Sequence, residues 1–110
     1  MERPSQNVDE LLRMAIEQRR VIRLLYRNKP RIVEPHDYGV HNGSVKLLAY
    51  QVGGSSSGPL PNWRWMALDL SSDIELLNRT FAGGRPPASG KHHRWDQVFV
   101  RVGSADKDAE

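Results

Sequence analysis

The fold is decided by one stretch of the chain, VIRLLYRNKPRIVEPHDYGVHNGSVKLLAYQ, which covers residues 21–51. Its apolar residues alternate with polar ones and include many β-branched and aromatic side chains, which predicts β-strands. Strands are expected at Val21–Tyr26, Arg31–Tyr38 and Val45–Gln51, with turns at residues 27–30 and at Asn42-Gly43. Asn-Gly is a strong hairpin signal because both residues tolerate the positive φ of a type I′ turn. Pro35 predicts a bulge or an edge position, because proline cannot donate to the ladder.

An amphipathic helix precedes these strands, and further strands follow them. The helix is indicated by an apolar stripe at helical spacing, formed by Val8, Leu11, Leu12, Ala15 and Ile16. A fourth strand is expected at about Trp63–Leu68 and a final one at Gln97–Val102, while Ile74–Leu77 either continues the fourth strand or forms a separate one. One helix and five or six short strands close most economically as a small, strongly bent β-barrel with the helix over one open end. We therefore predict a mainly β fold.

Length and composition predict a single domain that spans residues 1–110 and lies in the cytoplasm. Two stretches rich in Gly, Ser and Pro, residues 52–62 and 82–93, are expected to be flexible loops around an ordered core of about 7–102. Cysteine is absent, which excludes disulfides, thiolate metal sites and thiol catalysis. No apolar run approaches the roughly 18 residues of a membrane span, so no membrane contact is expected.

A cluster of positive charge lies between Glu17 and Glu34, where six basic residues occur without an acidic one. The six are Arg19, Arg20, Arg23, Arg27, Lys29 and Arg31. Because the formal net charge of the whole chain is only +3, this excess is local. A cationic cluster on a rigid hairpin suits a partner that bears phosphate groups. The alternative is that these side chains are solvated strand and turn residues.

Four segments resemble, in order, the motifs of the WYL domain family of bacterial transcription regulators. They are LRMAIEQRRVIRLLY (residues 12–26), RIVEPH (31–36), GSVKLLAY (43–50) and RWMALD (64–69). The third segment corresponds to the strand that names the family, although only Leu47 of its Trp-Tyr-Leu is present. The resemblance implies a small SH3/Sm-like barrel that senses a ligand, together with a helix-turn-helix regulator as its partner. Ala67 and Leu70 stand where the family often has arginines that are implicated in ligand contacts.

The candidate ligand-binding residues are the basic ones that strand alternation and the resemblance bring to one region, Arg23, Arg27, Arg31, Lys46 and Arg64. Alternation predicts Arg23 and Arg27 on one face of the first strand, with Arg31 across the turn from Arg27. A guanidinium can hold phosphate oxygens by two hydrogen bonds, so converging arginines suit a nucleotide or a single-stranded nucleic acid. The alternative is that Arg31 pairs with Glu34 or Asp37 and that the other cations are hydrated.

A second hypothesis is a protein-interaction module that forms a homodimer or pairs with a regulator. Its contact is formed by the edge of the first strand and by Trp63. Trp63 lies beside the polar loop and is the tryptophan most expected to be exposed, as an interface residue or a stacking surface. Trp65, Tyr26, Tyr38 and Tyr50 are further candidates for base stacking, but most aromatic side chains of so small a barrel are needed in its core.

The sequence predicts no metal, no cofactor and no catalytic residues. Adjacent residues of an extended strand point to opposite faces, so His92-His93 cannot easily hold one ion. Glu34 and His36 share a strand face but lack a third ligand, which favours a surface ion pair. No nucleophile motif or phosphate-binding glycine loop accompanies these residues, so an enzyme is not predicted.

Overall fold

The computed structural model describes residues 6–85 and 94–103 and confirms a mainly β fold with an N-terminal helix. The elements are α1 (Gln6–Glu17), β1 (Arg20–Tyr26), β2 (Lys29–His41), β3 (Ser44–Gly54), β4 (Asn62–Ala67), β5 (Ser71–Thr80) and β6 (Gln97–Arg101). A 3₁₀ turn at Leu68–Leu70 joins β4 to β5, so the segment around Ile74 is a separate strand. Among the described residues, no helix has the length and apolar character needed to cross a membrane.

The six strands form one antiparallel sheet in which β2 is the central element. The strand order is β4-β3-β2-β1-β5, and β6 also pairs with β2. Because β2 is 13 residues long, its first part pairs with β1 and its later part, Asp37–Val40, pairs with β6 on the same side. The register between β2 and β3 shifts between Pro35 and Asp37, which confirms the bulge predicted at Pro35. This shift lies close to the point where β2 changes partner.

Two tight turns fix the register of the first three strands. Asn42 and Gly43 have φ angles of 51° and 78°, which confirms the predicted hairpin turn. The first turn also has two residues, Arg27 and Asn28, with φ angles of 51° and 65°. It is therefore shorter than predicted, and Arg31 pairs with Leu24. The prediction that Arg31 stands across the turn from Arg27 is wrong.

The core lies between α1 and one face of the sheet. It contains Leu12, Ala15, Ile16, Ile22, Leu24, Val33, Tyr38, Val45, Leu47, Ala49 and Met66. The fully buried Tyr38 donates its hydroxyl hydrogen to Asp9 Oδ1 at 2.7 Å, and Asp9 Oδ2 accepts from Arg13 Nε at 2.8 Å. The helix is thus held by apolar burial and by a hydrogen-bonded carboxylate at its first turn.

The β3–β4 loop begins later than predicted because β3 continues through Gly54. Gly54 has a φ of +84°, and a Cβ there would collide with the carbonyl oxygen of Pro30 and approach Arg31 Cα at 2.8 Å. The next residue, Ser55, donates its backbone N–H to Pro30 O at 2.7 Å. The start of this loop therefore packs directly on the start of β2. Of the second predicted loop, residues 86–93 lie outside the described part of the chain.

Candidate functional site

The candidate site is built around Gln51, whose side chain is fully buried on the core face of β3. Its Nε2 donates to the carbonyl oxygens of Gly53 at 2.9 Å and Ser55 at 2.8 Å. These two bonds fix the orientation of the amide, since only its nitrogen can donate. The oxygen Oε1 is consequently turned toward the neighbouring strands.

Two predicted arginines meet at this oxygen, and we call them the arginine pair. Arg31 of β2 donates from Nη1 to Gln51 Oε1 at 3.1 Å, and Arg64 of β4 donates from Nε to the same atom at 3.1 Å. Arg64 also donates from Nη2 to Ser56 Oγ at 2.8 Å. Strands β2 and β4 flank β3, so the sheet itself brings both side chains to Gln51.

The arginine pair is short of negative charge. Both side chains are half-buried, and within the described ranges no carboxylate lies within 4.0 Å of either guanidinium. Arg31 Nε is buried and has no hydrogen-bond partner in that part of the chain. A guanidinium has more N–H donors than these bonds use, so both arginines keep the capacity to bind an anion. The two guanidinium groups at this neutral acceptor repel each other, and a bound anion would offset that repulsion.

Tyr26 connects a third arginine to the pair. The Cζ atoms of Arg27 and Arg31 lie 5.9 and 5.7 Å from the centroid of its ring. Its hydroxyl oxygen accepts from Ala67 N at 3.4 Å, and Arg27 N donates to Leu70 O at 3.0 Å. Strand β1 and the 3₁₀ turn therefore hold Tyr26 and Arg27 beside the pair.

The other two predicted binding residues lie elsewhere. Arg23 is exposed on the side of β1 opposite the buried Ile22 and Leu24, with its Nη1 4.0 Å from Glu75 Oε1. Lys46 lies on the outer face of β3, with its Nζ 6.0 Å from the Trp65 ring centroid. The structure joins Arg31 and Arg64 at one atom, places Arg27 and Arg31 at the same aromatic ring, and separates Arg23 and Lys46 from them.

The two acidic residues that could have formed an ion pair with Arg31 are bound by other arginines. Glu34 receives two hydrogen bonds from Arg85, and Asp37 Oδ1 accepts from Arg101 Nε at 3.3 Å. The alternative in which Arg31 pairs with Glu34 or Asp37 is therefore wrong. Sequence reasoning overlooked Arg85 and Arg101 because their partners are distant along the chain.

Glu34 and His36 are buried, so the interpretation of a surface ion pair between them is wrong. His36 Nδ1 lies 2.9 Å from the backbone oxygen of Glu34, and Nε2 accepts from the backbone N–H of Arg85 at 3.1 Å. Nδ1 must then be the protonated nitrogen of a neutral ring. Burial lowers the His36 pKa from 6.5, and the nearby Arg85 acts in the same direction. Glu34, its backbone carbonyl and Asp37 oppose that shift.

Trp63 is half-buried rather than exposed. Its ring packs edge-on against His36, with centroids 4.7 Å apart, and against Tyr50 at 5.2 Å. The indole therefore supports the outer face of its own sheet. In the described part of the chain no group of three or more metal-ligating residues occurs, and His92-His93 lies outside it.

Sequence reasoning missed Gln51 and Ser56. Gln51 could have been found, because strand alternation places it on the same face as Leu47 and Ala49, where a polar side chain needs partners. Ser56 lies in a loop without any pattern that assigns it to Arg64. Comparison of the chain with family models, with curated proteins and with solved structures finds no match.

Proposed function

We propose that this domain binds a phosphate group of a nucleotide or of a single-stranded nucleic acid at the arginine pair. The observation that carries the proposal is that Arg31 and Arg64 donate to one neutral oxygen, at 3.1 Å each. Among the described residues, no carboxylate lies within 4.0 Å of either guanidinium. A phosphate group offers the charge and the acceptor atoms that the two guanidinium groups lack. Half-burial strengthens such a contact, because the surrounding dielectric is lower than in water.

The neighbourhood of the pair supports the same ligand class. Arg27, whose guanidinium lies over the same Tyr26 ring as that of Arg31, can bind a further phosphate. The resemblance to WYL domains supports a role as a cytoplasmic ligand-sensing domain in bacterial transcription regulation. The alternative of a dimerisation module relied on Trp63, whose ring packs within its own chain, and on the edge of β1, which pairs with β2 and β5.

The test is fluorescence anisotropy with a labelled single-stranded oligonucleotide and with a labelled nucleotide over a range of salt concentrations. We expect the affinity for the oligonucleotide to fall with salt, with a logarithmic slope of about 0.7 for each phosphate contacted. Arg31→Gln and Arg64→Gln should each reduce affinity at least about tenfold, since hydrogen bonds to charged groups contribute about 1.5 to 3 kcal/mol and every 1.4 kcal/mol is about a factor of ten.

The matched control is Arg79→Gln, which removes the same charge from an exposed position on β5. Its affinity should stay within about twofold of the unmodified protein, because a distant exposed charge acts only through the screened field. Equal losses of affinity in all three variants would mean that binding depends only on the net charge of the domain, which would contradict a specific site at the arginine pair. No measurable binding of either probe at low salt would overturn the proposal.

A further inference from the structure

The outer face of the sheet carries a buried carboxylate that is fully engaged by one arginine. The Glu34 side chain is only 6% exposed, and its two oxygens accept from Arg85 Nε at 2.6 Å and from Arg85 Nη2 at 3.0 Å. This is the parallel, two-bond geometry in which a guanidinium matches a carboxylate. A lysine ammonium cannot reproduce it, because it lacks the planar fork.

One aromatic ring contacts this guanidinium, and a second ring packs against the first. Arg85 Cζ lies 4.6 Å from the centroid of Tyr50, within range of a cation–π contact. Tyr50 pairs with Glu34 across β2 and β3, and Trp63 pairs with Tyr50 across β3 and β4. Directly paired residues share a sheet face, so three neighbouring strands present the carboxylate and both rings together.

Arg85 itself comes from outside the sheet. It follows β5 in a segment without helix or strand, and its side chain is 45% exposed. Its backbone N–H is held by His36 Nε2, and the His36 ring stacks on Phe81 of the same segment with centroids 5.4 Å apart. The acceptor groups thus belong to the rigid sheet, and the guanidinium is supplied by a loop.

We propose that Glu34 and Tyr50, with Trp63 packed behind Tyr50, form a guanidinium-binding site that Arg85 fills in cis and that accepts the arginine side chain of a peptide in its place. The site lies on the outer face, whereas Gln51 and the arginine pair lie on the core face. It is therefore independent of the phosphate site, and either can fail without the other.

The experiment empties the site and refills it with a small probe. Arg85→Ala leaves the buried Glu34 carboxylate without its cation and should lower the melting temperature. N-acetyl-arginine amide should then raise the melting temperature of the variant, in proportion to the logarithm of its concentration above Kd. On the unmodified protein it should act only at higher concentrations, because there it has to displace Arg85 from the site.

Two controls identify the chemistry of the refilled site. N-acetyl-lysine amide, which has the same charge but no fork, should stabilise Arg85→Ala at least about tenfold less effectively by concentration. The double variant Glu34→Gln/Arg85→Ala keeps the shape of the site without its carboxylate and should not respond to either probe.

Arg85→Lys provides a second background in case Arg85→Ala does not fold, because it keeps the positive charge near Glu34. The arginine probe should stabilise this variant as well, although less than it stabilises Arg85→Ala. Equal responses to the arginine and lysine probes would overturn the proposal. So would the absence of any response in both backgrounds, or an undiminished response in the double variant.

Discussion

At the scale of single residues, Gln51 explains how two like charges can be held side by side in a small domain. A carboxylate at this position would neutralise one arginine and use the donors that an anion needs. The amide instead accepts from Arg31 and Arg64 and anchors itself by donating to Gly53 and Ser55. The bonds from the amide nitrogen thereby fix the position of the Gln51 side chain, and its neutral oxygen leaves the charge of the two guanidinium groups uncompensated. This arrangement orients the arginine pair without satisfying it.

Replacing Gln51 by leucine tests that role. Gln51→Leu removes the acceptor shared by Arg31 and Arg64 and the donor to two carbonyl groups. We expect the free energy of unfolding to fall by about 2 kcal/mol, since groups that lose a buried partner cost about 1 to 3 kcal/mol. Urea denaturation measures this change. The matched control is Gln97→Leu at the exposed first residue of β6, which should change stability by less than about 0.5 kcal/mol. Similar values for both variants would contradict the structural role of Gln51.

The candidate site could be predicted in its residue types but not in its arrangement. The basic cluster led to Arg31 and the motif at residues 64–69 led to Arg64, because charge runs and motifs are local properties of the sequence. Charge alone does not distinguish Arg23 from these two arginines. Its neighbours Ile22 and Leu24 are buried, which places Arg23 on the opposite face of the sheet. The pairing of Arg85 with Glu34 joins positions 51 residues apart, and no local pattern encodes such a contact.

At the scale of secondary-structure elements, β2 organises the sheet by changing its neighbour along its length. Its first part pairs with β1 and its later part with β6. Gly39 lies in the part of β2 that pairs with β6, and the register of this pairing shifts between Tyr38 and Gly39. A Cβ on Gly39 would collide with the carbonyl oxygen of Gln97 and lie 3.0 Å from Val98 Cα. Since these are backbone atoms, β6 can approach β2 this closely only at a glycine.

Gly39→Ala is therefore expected to push β6 away from β2. The predicted loss is about 1 to 3 kcal/mol of unfolding free energy, as for other cases of overpacking. Amide hydrogen exchange should show faster exchange along β6 than in β1 or β3. Gly43→Ala is the control, because Gly43 has a positive φ but nothing within 4 Å of an added Cβ. It should lose about 1 kcal/mol through backbone strain without selectively exposing β6. Unchanged β6 protection in Gly39→Ala would contradict the expected separation.

The elements themselves were largely predictable from the sequence. Helix and strand positions follow from periods of apolar residues, and Asn42-Gly43 defines its own turn, because both signals are local. The exact register was less accessible. Arg27 and Asn28 both adopt positive φ and shorten the first turn to two residues, which moves Arg31 opposite Leu24. Arginine has no intrinsic preference for that conformation, so residue type alone does not predict a two-residue turn at this position.

At the scale of the whole molecule, His36 joins the sheet to the segment that follows β5. Its ring is 3% exposed and uses both nitrogens, one with the Glu34 carbonyl and the other with the Arg85 backbone N–H. Only a neutral ring can donate at one nitrogen and accept at the other. Protonation would remove the acceptor for Arg85 and place a second positive charge near its guanidinium. The stability of the whole domain is therefore linked to the charge of this one ring.

This linkage predicts that the domain loses stability as the pH falls below about 6.5, the ordinary histidine pKa. Burial lowers the pKa of His36 in the folded state, so in that range the unfolded chain binds a proton that the folded chain does not. Above that pH the ring is neutral in both states and the contribution is complete. The decline cannot exceed about 1.4 kcal/mol per pH unit for one group, and it ends once the pH reaches the lower folded-state pKa.

Urea denaturation at several pH values between about 5 and 8 measures the decline. His36→Gln removes the titrating group while keeping a polar side chain that can donate and accept. Its unfolding free energy should be lower than that of the unmodified protein at neutral pH. Between neutral pH and the lower folded-state pKa, it should decrease less steeply, so that the two curves converge on the acid side. Parallel curves would mean that other groups cause the acid sensitivity and that His36 remains neutral in both states or charged in both.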